Sequence, residues 1–126
     1  MPAYIDGFLV PVPKRNRAKY LAMARTAGKV WMEHGALAYY ECAPDFVGTG
    51  EKQKFAFGKG LARKADEEVW FSFVIYKSKA HQKAVTKKVH VDPRITKYMH
   101  VAMPFDMSRL HYGGFVAKVQ HAQPKK

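Results

Sequence analysis

The spacing of apolar residues near the start of the chain predicts an amphipathic helix. From Tyr20 to His34, apolar and aromatic side chains recur at intervals of three and four, so they share one helix face. Asn16 is a favourable N-cap, and Gly35 is a residue at which helices commonly end. The sequence therefore predicts a helix between these two residues, with one face turned towards a core.

A second helix is expected in the middle of the chain. Ser78 is its predicted N-cap, and the helix should run to about Val91, where Asp92 and Pro93 interrupt it. Pro93 then favours another short helix that ends near His100.

Four segments carry the β-branched and aromatic residues typical of strands. They are residues 3–10, 37–42, 69–76 and about 109–119. Pro11 and Pro13 are expected to end the first strand, because a proline cannot donate to a sheet ladder. A connection of 25 residues, 43–67, separates the second and third strands, and connections of that length are often functional lids or contain local structure.

The resulting order, β-α-β-β-α-β, predicts a single α+β domain over residues 1–126 with a ferredoxin-like antiparallel sheet and both helices on one face. The strands are apolar on both sides, although a sheet exposed to water on one side should alternate with polar residues. We therefore expect a homodimer in which the sheets pack together. The strand residues expected at this interface are Ile5, Leu9, Trp70, Val74 and Tyr76.

Composition limits the class of protein. The chain has 126 residues, a formal net charge of +12 and one cysteine, Cys42, so no internal disulfide can form. No apolar run approaches the roughly 20 residues that span a bilayer. The first residues lack the basic and apolar regions of a signal peptide, and residues 121–126 resemble a frayed tail. These features predict a basic cytoplasmic protein without membrane partners.

The chain resembles the YbaA-like family over nearly its whole length. The motifs that carry the resemblance are Tyr4-Ile5-Asp6-Gly7-Phe8, Pro11-Val12-Pro13, Gly28-Lys29-Val30-Trp31, Glu33-His34-Gly35-Ala36-Leu37, Phe71-Ser72-Phe73-Val74-Ile75-Tyr76-Lys77-Ser78, Ala80-His81, Asp92-Pro93-Arg94, Met103-Pro104-Phe105-Asp106 and Tyr112-Gly113-Gly114-Phe115. The resemblance implies a bacterial protein of the dimeric α+β barrel superfamily, whose members include cofactor-independent oxygenases, haem-degrading enzymes and ligand-binding modules. It assigns no catalytic residue.

Three ionisable side chains form a candidate catalytic site between the first helix and the sheet. His34 would act as a general base oriented by Asp6, and Tyr112 would donate to a developing oxyanion. The structural alternative pairs Asp6 with Arg109 at a strand end and leaves His34 to interact with the carbonyls and dipole of its helix terminus. Residues expected to line the ligand pocket are Trp31, Gly113 and Arg109. Gly113 alternatively marks a β-bulge.

The predicted function is binding of a small anionic or aromatic compound, and an enzyme of this kind would be a cofactor-independent monooxygenase. No metal or other cofactor is expected, because the histidines lack metal-ligand spacing. An alternative is non-specific nucleic-acid binding through a lysine row at i, i+4 spacing on the second helix. That row consists of Lys79, Lys83 and Lys87. A third interpretation is a dimer without chemistry of its own.

Overall fold

The computed structural model of the chain describes residues 2–45 and 56–124. Within these residues the strands are β1 (Tyr4–Pro13), β2 (Ala38–Cys42), β3 (Glu67–Tyr76) and β4 (His111–Val116). The α-helices are α1 (Arg17–Glu33), α2 (Phe57–Gly60), α3 (Lys79–Val89) and α4 (Pro93–Thr96). The short helices α2 and α4 lie in connections, so the predicted order of main elements is confirmed.

The described strands form one antiparallel sheet with the order β2-β3-β1-β4. This is the ferredoxin-like order, and the α+β class predicted from the sequence is confirmed. The N-terminal strand β1 is central, pairing with β3 along its whole length and with β4 from Tyr4 to Leu9.

The bounds of two strands differ from the prediction. β1 continues through Pro11 to Pro13. Its pairing with β4 stops at Leu9, so the prolines lie where one side of the strand is unpaired, and a proline is tolerated there. β4 begins later than predicted, at His111. Before it, Met107–Arg109 forms a 3-10 turn in which the Asp106 carboxylate accepts a hydrogen bond from the Ser108 amide.

The ends of the helices follow local chemistry. Ser78 caps α3 by accepting a hydrogen bond from the His81 amide, as predicted. Asn16 stands at the N-cap position of α1 but makes no side-chain cap. Its Nδ2 atom instead donates to the Pro104 carbonyl at 3.0 Å, which ties α1 to the segment before β4. After α1, Gly35 has a φ of +113°, a conformation that favours glycine.

The two faces of the sheet divide the strand residues. Trp70, Val74 and Tyr76 are 2%, 2% and 0% exposed and pack on the helix side with α1 and α3 residues. Their predicted place at the interface between sheets is therefore wrong. The prediction mixed the two faces of β3, although alternate residues of a strand must point in opposite directions. Ile5 and Leu9 point in the opposite direction and lie on the other side of the sheet. We call this side the open face.

The open face carries a row of aromatic side chains. The rings of Tyr40 and Phe73 stack with centroids 4.8 Å apart, and Phe71 lies 5.4 Å from Phe73. Tyr40, Phe71 and Phe115 remain 54%, 42% and 59% exposed in the single chain. Phe57 of α2 lies 6.4 Å from Phe71, so α2 approaches one end of this face, and the rest of the face is apolar and uncovered by the described part of the chain.

Candidate functional site

Two of the three predicted catalytic residues are in contact. The Tyr112 hydroxyl donates to Asp6 at 3.1 Å, and Gln82 from α3 donates to the same carboxylate at 3.2 Å. Asp6 is only 3% exposed and faces the helices rather than the open face. Burial, followed by the nearby Asp6 carboxylate, raises the pKa of Tyr112. Asp6 is thus a buried carboxylate with satisfied oxygens.

His34 has a different partner from the one predicted. Its Nε2 atom lies 2.9 Å from the Asp92 carboxylate at the start of α4, so Asp92, rather than Asp6, orients the ring. Arg94 also binds this carboxylate, at 2.8 Å. Hydrogen bonds from Arg94 and then from His34 hold the pKa of Asp92 well below its usual value. The His34–Asp92 interaction joins the end of α1 to the start of α4 through side chains. The alternative in which His34 interacts only with its own helix terminus does not include this contact.

Arg109 forms an ion pair with Glu67, so the suggested pairing of Arg109 with Asp6 is wrong. The Arg109 guanidinium also donates to the carbonyls of Leu61 and Ala62. Glu67 is 5% exposed. Although burial raises its pKa, the hydrogen bond from Arg109 and another from the Lys64 amide hold that pKa below its usual value. Arg109 therefore anchors the segment before β4 to the start of β3.

Gly113 lies in regular pairing opposite Gly7, so the strand has no bulge at this point. A Cβ atom on Gly113 would lie 2.8 Å from the Phe115 ring, which means that the ring folds over the glycine. Gly113 and Tyr112 border an apolar cleft of about 270 Å³ that is formed mainly by open-face residues, among them Leu9 and Phe71, and by Phe57 of α2. The glycine accommodates an aromatic ring of its own chain, and its place in ligand binding stays a prediction.

A cavity of about 230 Å³ lies between α1 and the helix side of the sheet. Trp31 lines it, as the sequence predicted for a ligand pocket. The Trp31 indole N–H donates to the Tyr76 hydroxyl at 2.9 Å, so its polar atom is satisfied outside the cavity. The remaining lining comes from both helix and sheet and from the segment before β4, and consists of Phe8, Val10, Tyr20, Met23, Ala27, Tyr39, Glu41, Ser72, Met103, Phe105, Met107 and Leu110.

One carboxyl group lines this otherwise apolar cavity. Glu41 on β2 accepts hydrogen bonds from Tyr20 at 2.8 Å and from Tyr39 at 2.9 Å, one on each oxygen. Burial raises the pKa of Glu41, against the opposing effect of the two tyrosine hydrogen bonds. Burial, followed by the adjacent carboxyl, also raises the pKa of both tyrosines. This Tyr20–Glu41–Tyr39 cluster is a proton-binding group beside apolar space, which is a common feature of functional sites.

Sequence analysis missed the Glu41 carboxyl although a signal was present. Glu41 lies two residues after Tyr39 in a short apolar strand, so the two side chains share a face. A single acid among aromatic strand residues requires a partner when its face is buried. The partner from α1, Tyr20, was assigned to the buried helix face from spacing alone, and its hydroxyl was not considered.

No three His, Cys, Asp or Glu side chains within residues 2–45 and 56–124 lie together in a way that could hold a metal ion. In the same ranges, no helix has the length and apolar character needed to cross a membrane. The lysines of the predicted nucleic-acid surface, Lys79, Lys83 and Lys87, are exposed along α3.

Fold and cavity together define a ferredoxin-like α+β domain with one carboxyl group in an aromatic-lined interior pocket. Residues 3–107 match the family described as "Protein of unknown function (DUF1428)", and the chain belongs to that family. It is 38% identical to the uncharacterized protein YbaA of Escherichia coli K12 over 112 residues, which cover 89% of this chain and 93% of that protein. The protein of the same name from Shigella flexneri matches with the same identity and coverage.

A solved structure with a similar fold comes from Bacteroides thetaiotaomicron. It is described as a conserved protein of unknown function and possible oxidoreductase. The TM-score is 0.59 with 12% sequence identity, and the match covers 92% of this chain and 98% of that one. This likeness supports the fold.

Proposed function

We propose that the protein binds a small aromatic compound carrying a hydroxyl group in the cavity between α1 and the sheet. The observation that carries the proposal is the Glu41 carboxyl, held by Tyr20 and Tyr39 at the edge of the cavity. An apolar ring would replace water against the aromatic and methionine side chains, and the ligand hydroxyl would donate to the carboxyl. A few polar groups in a mainly apolar pocket are what small-molecule sites require.

The size of the cavity favours one ring or two fused rings. An apolar cavity of about 150 Å³ is enough to bind benzene, and the cavity here is about 230 Å³. Its carboxyl also argues for an uncharged group at that end of the ligand, because a second anion beside Glu41 would be repelled. Of the two compound classes predicted from the sequence, the aromatic one is favoured at this position.

The same site supports proton removal from a phenol. A carboxylate with a raised pKa is a better general base near neutral pH than an exposed glutamate. Glu41 would take the phenolic proton, and dioxygen would then attack the electron-rich ring. In a complete turnover the phenol becomes a quinone, with one oxygen atom added to the ring and the other released as water. This would be a cofactor-independent monooxygenase, and cofactor-independent oxygenases are among the superfamily members that the resemblance implies as relatives.

Titration calorimetry with 1-naphthol tests the proposal. Ala27→Leu places a larger side chain in the cavity and should abolish measurable binding, whereas Ala22→Leu on the exposed side of α1 should not. Glu41→Gln should weaken binding about tenfold, because a hydrogen bond to a charged group contributes about 1.5–3 kcal/mol. Its control is Glu33→Gln, which removes an exposed carboxylate. Binding that is unchanged in both Ala27→Leu and Glu41→Gln would refute the site.

We also propose that the chain forms a homodimer through the open face of the sheet. Its exposed aromatic row is the kind of contiguous apolar surface that monomers rarely present. The lysines of α3 lie on the opposite side of the sheet with the helices. Two flat apolar faces can therefore meet without bringing these lysines together.

Sedimentation velocity at micromolar concentration should give about twice the chain mass for the native protein. Phe71→Glu introduces a charge at the centre of the open face and should yield a monomer. Val91→Glu is the matched control, because Val91 is 74% exposed in the turn after α3. A native monomer, or a Phe71→Glu dimer as stable as the control, would contradict the proposed interface.

Weak, non-specific nucleic-acid binding stays a second proposal, supported by the exposed lysines of α3. Lysines can neutralise phosphates without reading bases, so affinity for a single-stranded RNA of mixed sequence should fall steeply with salt. Replacing the row with glutamine should remove that affinity. Binding that persists in 0.5 M salt, a test concentration of about three times physiological ionic strength, or that selects one sequence, would contradict this proposal. The residues to replace are Lys79, Lys83 and Lys87.

A further inference from the structure

A groove of about 380 Å³ runs along the outer side of α1, next to the interior cavity. Its lining residues on α1 are Leu21, Ala24, Arg25, Gly28, Lys29 and Met32. The rest of the lining is Tyr39 and Glu41 from β2, the two residues that also line the cavity. The groove and the cavity are therefore neighbouring spaces, separated by these two side chains.

Gly28 allows the side chain of Tyr39, which separates the groove from the cavity, to pack close to α1. A Cβ atom at this position would lie 2.9 Å from the Tyr39 ring, so the ring packs against bare helix backbone. The Tyr39 hydroxyl is held at Glu41 by one hydrogen bond of 2.9 Å. Tyr39 can leave this position without disturbing Tyr20, which keeps the other oxygen of the carboxyl satisfied.

The groove carries positive charge that the described residues neutralise only in part, since Lys29 interacts with Glu33 one helical turn later. Arg25 and Lys29 are exposed on α1, and neither forms an ion pair within residues 2–45 and 56–124. Glu41, the acidic group in the groove lining, accepts hydrogen bonds from two tyrosines and forms no ion pair with either cation among the described residues. Arg25 and Lys29 therefore lie beside the wall of an apolar cavity and are accessible to an anion.

We infer that the natural ligand is an aromatic acid whose ring occupies the cavity while its carboxylate lies in the groove against Arg25 and Lys29. The inference rests on the proposed function and adds the ligand's charged group. A short linker between ring and carboxylate spans the wall, and Tyr39 moves aside to admit it. The ring end meets Glu41 inside the cavity, and the acid end meets Arg25 and Lys29. Because Glu41 also lines the groove, the attraction of these two cations must exceed the repulsion from its carboxyl.

Calorimetry with two matched probes tests this inference. The probes are 2-naphthylacetate and its uncharged carboxamide, which share the ring and linker and differ in the charged group. At low salt the acid should bind about three- to tenfold more tightly than the amide, as expected for two exposed ion pairs. In the double variant Arg25→Gln/Lys29→Gln the acid should lose that advantage while the amide binds unchanged. Lys88→Gln/Lys118→Gln, which removes two exposed charges outside the groove, should keep the advantage.

The outcomes separate the two proposals. If neither probe nor 1-naphthol binds the native protein, the proposed function itself fails. If acid and amide bind equally, or if Arg25→Gln/Lys29→Gln leaves the preference intact, the cavity still binds aromatic rings but the assignment of the groove is overturned. If Lys88→Gln/Lys118→Gln removes the preference for the acid to the same extent, the preference comes from the net charge of the protein. That result would also overturn the assignment of the groove.

Discussion

Replacing Gly28 with alanine should destabilise the protein even though alanine is the better helix former. In an exposed helix the exchange would gain about 1 kcal/mol. Here the new Cβ would stand 2.9 Å from Cδ1 and 3.1 Å from Cε1 of Tyr39. These atoms lie near the base of the ring, so rotating its far end does not relieve the contact.

In the ligand-free chain the ring can retreat only by losing its hydrogen bond to Glu41 and its contact with Trp31. Its backbone is fixed in β2, and its hydroxyl is held by Glu41. Overpacking a rigid contact costs about 1–3 kcal/mol, so the helix gain is offset and Gly28→Ala should lose about 0–2 kcal/mol of unfolding free energy in net. For a domain of this size each kcal/mol corresponds to about 3–5 °C in Tm.

A double-mutant cycle isolates the cause. Urea denaturation followed by circular dichroism should be measured for the native chain, Gly28→Ala, Tyr39→Leu and the double variant. With the ring removed, the alanine should become stabilising by up to about 1 kcal/mol, which gives a coupling energy of about 1–3 kcal/mol between the two positions. If alanine stabilises both backgrounds by the same amount, Gly28 does not serve the Tyr39 contact and the reasoning is wrong.

Three further outcomes follow from the ionisable groups. Glu67→Gln should cost about 1–3 kcal/mol in urea denaturation, because it leaves the Arg109 guanidinium without its carboxylate; no change would show that the pair is dispensable. Since the pKa of Glu41 is raised in the fold, the native state binds its proton more tightly, so unfolding free energy should fall as pH rises from 4.5. Glu41→Gln should remove that slope, and an identical slope in this variant would contradict the assignment. The lowered pKa of Asp92 has the opposite sign: its contribution is present above pH 3.8 and is lost as pH falls below that value. Acid titration of Asp92→Asn should show a smaller loss than the native chain, and equal curves would refute the Arg94 contact as its cause.

The fold was predictable because its signals are local and repeated. The three- and four-residue spacing of α1 continues over several turns, and the apolar run of β3 continues over several strand positions. One atypical residue therefore does not change the predicted element. The interior contacts depend instead on pairs distant in sequence. His34 meets Asp92 58 residues later, and spacing along one helix carries no information about that distance.

The cavity group was missed for a related reason. Strand parity places Asp6 and Glu41 on faces of their own strands, but only the packing of α1 decides that both faces are internal. Two prolines obscured the end of β1 in a similar way. Whether Pro11 is tolerated depends on where β4 begins, at His111, which lies 100 residues further along the chain.

The central position of β1 has a consequence for synthesis. Among the described strands β1 leaves the ribosome before the other three, yet β4, one of its neighbours, emerges after them. The interior cavity takes lining from Phe8 near one end of the chain and Leu110 near the other. The nascent chain can build α1 and the β1–β3 pair early, but a closed binding site requires nearly the whole polypeptide. Any ligand that stabilises the cavity therefore acts after Leu110 has been translated, and a chain truncated before residue 103 would lack four of the lining side chains, Met103, Phe105, Met107 and Leu110.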